Sequence, residues 1–409
     1  MFFRRHLSDV LLSGASNDKV RLLFGARQTG KTALLAHLLA GAETASFNLQ
    51  DSSLRRRLES DPSSFSREVR ALPRATRHVL VDEVQKVPAL LDEIQDLYDA
   101  DPTRYQFFLT GSSARRLRTH SSNLLPGRSH VYSIYPISRW ETDTHLADSW
   151  PWSQAATPCD DPPFPAQGLE RMLVYGGLPG VRQENPDSAP RTLEAYVENY
   201  VEEEIRREAA ARDLGAFSTF LRLAAFEAGR TINLAHLSQE TGIAATTVRN
   251  FYQVLVDTFI GHWMEPYSRP GRKRLLSTPR FYFFDLGVRN AAARLALDDR
   301  LLDSGSGPLF EQWVALELLA RAGYRGRSHR VSFWRTKNGA EVDFVYEAPR
   351  EDVPIEVKWT SRPRPGDARH VETFLDLYPE RAHRGVVICR VEQVQQLTDR
   401  VVALPWSAL

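Results

Sequence analysis

The chain has 409 residues, of which 42% are apolar and 25% charged, and its 52 basic and 51 acidic side chains nearly cancel. That is the make-up of a globular protein of two or three domains. It excludes a molecule that grips nucleic acid through overall charge, so any such contact has to come from local patches. The two cysteines, Cys159 and Cys389, lie far apart and form no metal-ligand spacing, which fits a reduced interior. No stretch approaches a membrane-spanning helix, and the start, MFFRRHLSDVLLSG, lacks the long apolar core and small-residue cleavage site of a signal peptide. A cytoplasmic protein without membrane contact is expected, its first residues an amphipathic helix capping the first domain.

An apolar run (Val20, Leu22, Leu23, Phe24) ends in Gly25-Ala26-Arg27-Gln28-Thr29-Gly30-Lys31-Thr32, and the spacing of Leu34, Leu35, Leu38 and Leu39 then predicts a helix. This order of strand, glycine loop and helix, with the pattern G-x-x-x-x-G-K-T, suits a polyphosphate. The glycines let backbone N–H groups wrap it, Lys31 adds a point charge, and the Thr32 hydroxyl reaches magnesium. The helix N-terminus adds partial positive charge. A short strand at 45–49 and a helix with Arg55, Arg56 and Arg57 on a solvated face follow.

The next helix lies between Pro62 and Pro73. A second apolar run, His78 to Val81, ends in Asp82-Glu83, where the aspartate would hold magnesium and the glutamate would deprotonate the attacking water. A helix over 89–98 leads to a strand over 105–109 that ends in Thr110-Gly111-Ser112-Ser113, able to bring a hydroxyl to the γ-phosphate. Strands separated by helical lengths predict a parallel sheet, and the three strand ends converge as ligand sites do at its carboxyl edge. A basic stretch (Arg115, Arg116, Arg118) precedes Gly127-Arg128 and a strand over 131–135.

GARQTGKT, VDEVQ, LTGSSA, the Gly127-Arg128 pair and YPISRWE together resemble the AAA-type ATPases of bacteria and archaea whose C-terminal half is a domain of unknown function. The resemblance covers nearly the whole chain. It implies an AAA-like sheet, ATP as ligand, Lys31 and Thr32 at the phosphates, Asp82 on magnesium, Glu83 as base and Ser112 as the polar sensor. Arg128 has two readings: a finger presented to a neighbouring subunit's γ-phosphate, which implies a homo-oligomer, or a surface arginine after a turn. The lid's sensor arginine stays open among Arg182, Arg191 and Arg206.

Residues 144–168 are rich in proline and read as a linker. Helices over 169–178 and 192–211 flank the Gly176-Gly177-Leu178-Pro179-Gly180 break, and Glu202, Glu203 and Glu204 read as an exposed acidic run. From 217 to 284 the pattern is helix, helix, tight turn at Thr241-Gly242, helix, then aromatic strands, which is that of a winged helix-turn-helix. Thr246, Thr247, Arg249, Asn250 and Gln253 fall on the outer side of its third helix, able to meet double-stranded DNA. Arg269, Arg272, Lys273 and Arg274 fall where the wing would grip phosphates. A packing module that never touches DNA is the other reading.

In the last hundred residues a helix over 309–320 presents Glu311, and strands over 341–346 and 354–359 carry Asp343, Glu356 and Lys358. Residues two apart in a strand share a face, so Glu356 and Lys358 point together and Asp343 joins them if the strands pair. The carboxylates would hold magnesium and the lysine would serve the attacking water. This looks like the core of the PD-(D/E)XK nucleases, with Glu311 in the place of the helix acid, although a salt-bridged sheet that kept only the fold is the alternative. A buried strand over 385–389 and an edge strand over 401–406 complete the chain.

The expected fold class is therefore α/β. An AAA-type P-loop NTPase domain with a parallel sheet (1–143) and the linker (144–168) precede a helical connector (169–216), a winged helix (217–300) and an α/β PD-(D/E)XK-like domain (301–409). Its expected work is ATP binding and hydrolysis with Mg2+, used either to control a DNA-cutting enzyme or to drive a switch whose C-terminal domain binds a partner. A pore-threading motor ranks last, since no gripping loop is evident.

Overall fold

In a computed structural model the described residues are 5–12, 18–114, 125–142, 167–201, 214–268 and 278–409. They fall into two units. One holds the described residues of Met1–Tyr135 and Gln253–Ile260, the other those of Pro136–Glu203, Ala211–Tyr252 and Gly261–Leu409. The proline-rich 144–165, Arg115, Arg116, Arg118, Glu202 to Glu204, Arg206, and the wing residues Arg269, Arg272, Lys273 and Arg274 lie outside the described residues.

The first unit is built on β1 (Val20–Phe24), β2 (Thr44–Asn48), β3 (His78–Asp82), β4 (Gln106–Gly111) and β5 (Ser129–Ser133), with helices α1 (Leu7–Leu12), α2 (Lys31–Leu38), α3 (Ser52–Ser60), α4 (Ser63–Arg70) and α5 (Leu90–Ala100). The five strands run parallel in the order β2-β3-β4-β1-β5. Every residue of β1 is buried, as a strand between two neighbours and under helices must be. Leu22, Val79, Val81, Phe107 and Leu109 meet Leu58, Phe65, Val69 and Ile94 in one apolar core, and each such side chain contributes about 1.5–3 kcal/mol by leaving water. Arg21 is the exception in β1. It is 1% exposed, and its guanidinium lies 4.8 Å from the Phe108 ring centroid. The solvated face expected of Arg55 to Arg57 is present: Arg57 pairs with the exposed Glu68, and the Asp51 carboxylate caps the helix by accepting from Ser53 N–H at 2.8 Å.

The second unit opens with the short helices α6 (Arg139–Thr142), α7 (Leu169–Tyr175), α8 (Pro179–Arg182) and α9 (Ala189–Tyr196). Helices α10 (Leu214–Phe226), α11 (Leu234–Thr241) and α12 (Ala245–Asp257), the last belonging to this unit up to Tyr252, follow, then the antiparallel pair β6 (Gly261–Met264) and β7 (Arg280–Phe283) and helix α13 (Leu286–Ala292). Gly242, at φ 69°, makes the expected tight turn before α12. Phe217, Phe220, Phe251, Tyr252 and Phe281 pack ring against ring beneath these elements.

A long helix, α14 (Leu301–Arg325), leads into β8 (Arg330–Arg335), β9 (Glu341–Glu347), β10 (Asp352–Val357), α15 (Arg369–Leu377), β11 (Gly385–Cys389), β12 (Gln395–Gln396) and β13 (Val401–Pro405). The sheet order is β12-β13-β11-β10-β9-β8. Helix α14 covers one face through Phe310, Trp313 and Val314, and α15 covers the other through Val371, Phe374 and Leu375.

Two expectations change. Strand β13 is not at the edge, because β12 pairs beyond it. Strand β10 ends at Val357, so Lys358 follows the strand rather than lying in it. Residues on the two sides of 300/301 pack together, with Leu169, Met172, Tyr282 and Leu286 in one core with Phe310, Phe344 and Ile355.

Candidate nucleotide site and a C-terminal carboxylate cluster

Strand β1 ends at Phe24, and the loop to α2 turns inward because Gln28 (φ 61°) and Gly30 (φ 93°) take left-handed conformations that point successive N–H groups to one side. A Cβ on Gly25 would stand 2.5 Å from Ile134 O, so only glycine lets the strand end lie there. Thr29 is fully buried and donates to Ala26 O at 2.8 Å, while Arg5 donates to Thr29 O at 2.8 Å and to Tyr135 O at 2.6 Å. Lys31, 5% exposed, curls over the loop, its Nζ donating to Gly25 O (2.9 Å) and Ala26 O (2.8 Å). Ala26, Arg27 and Gln28 complete the cradle.

The neighbouring strand ends meet this loop. Thr32 Oγ1 donates to Asp82 Oδ1 at 2.9 Å, which joins α2 to the end of β3. Thr110, at the end of β4, donates its hydroxyl to the same Asp82 oxygen and accepts Glu83 N–H at 3.0 Å. Glu83 itself is left-handed at φ 62°. Its Oε2 accepts from Ser112 Oγ at 2.7 Å and from Gln85 Nε2 at 2.6 Å, and Gln85 also donates to Ser112 Oγ at 3.0 Å. One carboxylate oxygen is thus doubly held, while Oε1 has no bond among the described residues. A hydroxyl and a carboxylate within hydrogen-bond reach are the hard oxygen donors that magnesium takes, so Thr32 and Asp82 fit that ion.

Arg128 stands elsewhere. It precedes β5, whose Ser129 pairs with Val20 at the start of β1, so it lies at the edge of the sheet opposite the phosphate loop. One strand length, about 13–16 Å, separates those edges, which rules out contact with its own chain's loop. Its guanidinium forks onto Asp99, with Nε to Oδ1 at 2.6 Å and Nη2 to Oδ2 at 3.0 Å. Arg182 is buried in the second unit, where burial lowers its pKa to about 10 against the opposing pull of Glu317 and Glu141.

The C-terminal residues expected to cooperate do come together. Between Ser332 and Trp334 the β8–β9 register slips, with β9 advancing from Val345 to Val342 against two residues of β8. This bulge turns Asp343 toward α14. The pairing of Ile355 with Phe344 sets Glu356 opposite Asp343. Asp343 Oδ2 accepts Val357 N–H at 2.8 Å, and Lys358 Nζ donates to Glu356 Oε1 at 2.6 Å, so Glu356 and Lys358 do point together. Glu356 Oε2 is buried without a hydrogen-bond partner.

Two residues that sequence reasoning missed complete the cluster. Arg280, on β7 and 5% exposed, reaches Glu311 at 3.4 Å and ion-pairs with Glu341, its guanidinium over the Phe333 ring at 4.5 Å. Burial raises the pKa of Glu311, Asp343 and Glu356, and their mutual repulsion adds to it. Of the expected metal set of Glu311, Asp343 and Glu356, Glu311 also faces Arg280. Among the described residues no group of three or more His, Cys, Asp or Glu is disposed to hold a metal ion.

On α12, Thr246, Arg249, Asn250 and Gln253 are exposed and Thr247 is half-buried, so the outward face expected of them is present. No helix among the described residues is long and apolar enough to cross a membrane.

Residues 17–142 match a family described as an AAA domain. Residues 166–299 and 306–409 match two domains of unknown function, DUF8612 and DUF4143. The chain is similar to uncharacterized proteins of Mycobacterium tuberculosis and Mycobacterium bovis, each 24% identical over 404 residues that span 98% of this chain and 83% of theirs. An uncharacterized protein of Haemophilus influenzae is 21% identical over 373 residues, 87% of this chain and 86% of that one. Among solved structures, the Walker-type ATPase paby2304 of Pyrococcus abyssi aligns with a TM-score of 0.47 and 16% identity, covering 71% of this chain and 96% of that one. With the five-stranded parallel sheet and the loop at its carboxyl edge, the AAA-domain match supports an AAA-type P-loop ATPase as the N-terminal part of this chain.

Proposed function

We propose that this protein is an ATP-hydrolysing switch in which Glu83 is the base and the C-terminal unit binds a partner. The observation that carries the hydrolytic half is the fixing of Glu83 by one oxygen only. Gln85 and Ser112 hold Oε2, and Oε1 is left to take a proton from water. The loop N–H groups from Gly25 to Thr32 cradle the phosphates. Lys31 exchanges the carbonyls of Gly25 and Ala26 for phosphate oxygens. Thr32 and Asp82 would hold magnesium, which supplies charge stabilisation at the β- and γ-phosphates. Thr110 ties Asp82 to Glu83, so the residues that bind and the residue that takes the proton keep one geometry. Calorimetric titration of ATP with magnesium tests this: wild type binds and Lys31→Ala does not, and equal binding by both overturns it.

Arg128, engaged with Asp99 in its own chain, becomes a finger only when a second copy offers its phosphate loop, so hydrolysis would depend on assembly. For the C-terminal unit, the occupation of Glu311 and Glu341 by Arg280 supports partner binding over cutting. The three helices and strand pair would then be a winged helix that presents Thr246, Thr247, Arg249 and Asn250, with Arg272, Lys273 and Arg274, to double-stranded DNA or to a protein.

A second reading, magnesium-dependent nuclease, is favoured by one observation: the buried, unpartnered Glu356 Oε2 opposite Asp343. Plasmid nicking with magnesium or manganese decides between the two. Cleavage by wild type that Asp343→Ala abolishes establishes the nuclease, and no cleavage under any nucleotide establishes the switch.

A further inference from the structure

A cavity of about 520 Å³ opens in the second unit between the end of α10, the residues after α13 and the first turns of α14. Two of its lining residues are at odds with an empty space. Gln312 is 5% exposed, yet its carboxamide makes no hydrogen bond among the described residues. Gly229, at φ +86°, lets the backbone lie against the Gln312 side chain, where a Cβ would come within 3.2 Å of Cγ. Arg289 is 7% exposed and has no carboxylate within ion-pair distance among the described residues. Three of its five N–H groups go to Ala225 O (2.7 Å), Phe226 O (3.3 Å) and Asn290 Oδ1 (3.0 Å), and the others are left over. A buried cation without a counter-charge is costly, and that cost falls when a ligand supplies the charge, while the Gln312 amide in the cavity lining is placed to bond the same ligand.

We infer that this cavity binds a nucleoside monophosphate, free or as one unit of a single strand. Its phosphate would meet Arg289 with the exposed Arg230 at the mouth, which suits the planar fork of arginine. Arg300 also lines the cavity but is ion-paired with Asp298. Glu311, the one acid in the lining, keeps the phosphate on the arginine side. The carboxamide of Gln312 offers a donor and an acceptor side by side, the complement of a base edge. Phe226 is 54% exposed at the rim and provides a ring face for stacking, while Leu295 and Leu309 supply apolar walls. The volume is within the usual range for a small-molecule site and much larger than a lone phosphate requires. The site is separate from the phosphate loop and requires neither ATP hydrolysis nor cutting.

The test uses the full chain carrying Lys31→Ala, so that the phosphate loop does not contribute. Adenosine monophosphate, inorganic phosphate and a single-stranded DNA hexanucleotide are titrated calorimetrically. The nucleotide is expected to bind at least about tenfold more tightly than phosphate, and Gln312→Leu and the surface variant Arg230→Glu each to weaken it by about tenfold. A hexanucleotide tighter than the monophosphate identifies a strand as the source, and the reverse order identifies a free nucleotide. Absence of binding by both nucleotide probes at millimolar concentration, or affinity unchanged in both variants, overturns the assignment. Because the parent chain already lacks the phosphate-loop lysine, either result leaves the ATPase proposal untouched.

Discussion

Glu83→Gln separates proton abstraction from everything that holds the nucleotide. The substitution keeps the length of the side chain and an oxygen that can accept from Ser112 and Gln85, which now stand 2.7 and 2.6 Å from Oε2. The charge-assisted pair becomes neutral, which costs at most about 1 kcal/mol of stability. The hydrogen bonds of the Glu83 side chain go to Gln85 and Ser112 rather than to Lys31, Thr32 or Asp82, so ATP affinity should stay within about twofold. What disappears is the basic Oε1. A positioned general base is worth about 10²–10⁴-fold in rate, roughly 3–5 kcal/mol of barrier. Phosphate release under saturating ATP is expected to fall by at least about a hundredfold, with nucleotide titration and thermal unfolding little changed. Turnover above about a tenth of wild type would show that the water loses its proton to another group and would refute the role given to Glu83.

Arg128→Ala is expected to abolish most turnover, by about a thousandfold, while sparing ATP binding, and the loss should be rescued by mixing with subunits that lack only Glu83; unchanged phosphate release removes the finger. Arg280→Ala leaves Glu311 and Glu341 facing each other without their shared cation. Because these side chains remain 32% and 29% exposed, water offsets part of the loss and a destabilisation of about 2–3 kcal/mol is expected in urea unfolding of the second unit. The pH dependence of that unit should run opposite to the usual carboxylate pattern. Burial raises Glu317 to about 7 and Asp285 to about 6, and Glu311 and Glu356 move the same way. A folded pKa above the unfolded value means stability present in full at low pH and lost as pH rises through the folded value. The urea midpoint should therefore fall between about pH 5.5 and pH 8, and a midpoint that rises over that window contradicts the buried-carboxylate account.

The nucleotide half was legible because its chemistry is local. A turn that exposes N–H groups needs glycines at fixed spacing, and a hydroxyl and a lysine must follow at once, so Gly25 to Thr32 sit in one continuous stretch. Asp82-Glu83 and Thr110 to Ser112 were legible for the same reason, since each ends a buried parallel strand and strand ends share an edge. The partners that aim Glu83 were less so: Gln85 looks like any polar residue after a strand until the fold brings it to Ser112. Glu356 and Lys358, two apart, do meet at 2.6 Å, although Lys358 lies just past the strand end.

Tertiary structure alone decided the rest. The β-bulge that turns Asp343 toward α14 depends on register against β8, which no local pattern encodes. Arg280 reaches Glu311 and Glu341 from residues 31 and 61 positions away, and Gln312 is an ordinary helix residue until Gly229 closes over it. Backbone cradles and strand periods are written in neighbouring residues, so the sequence determined the glycine loop and the parallel strands whose ends meet it. Charge compensation and cavities arise where distant segments pack, so only the folded chain determined what fills the carboxylate cluster and where a second ligand fits.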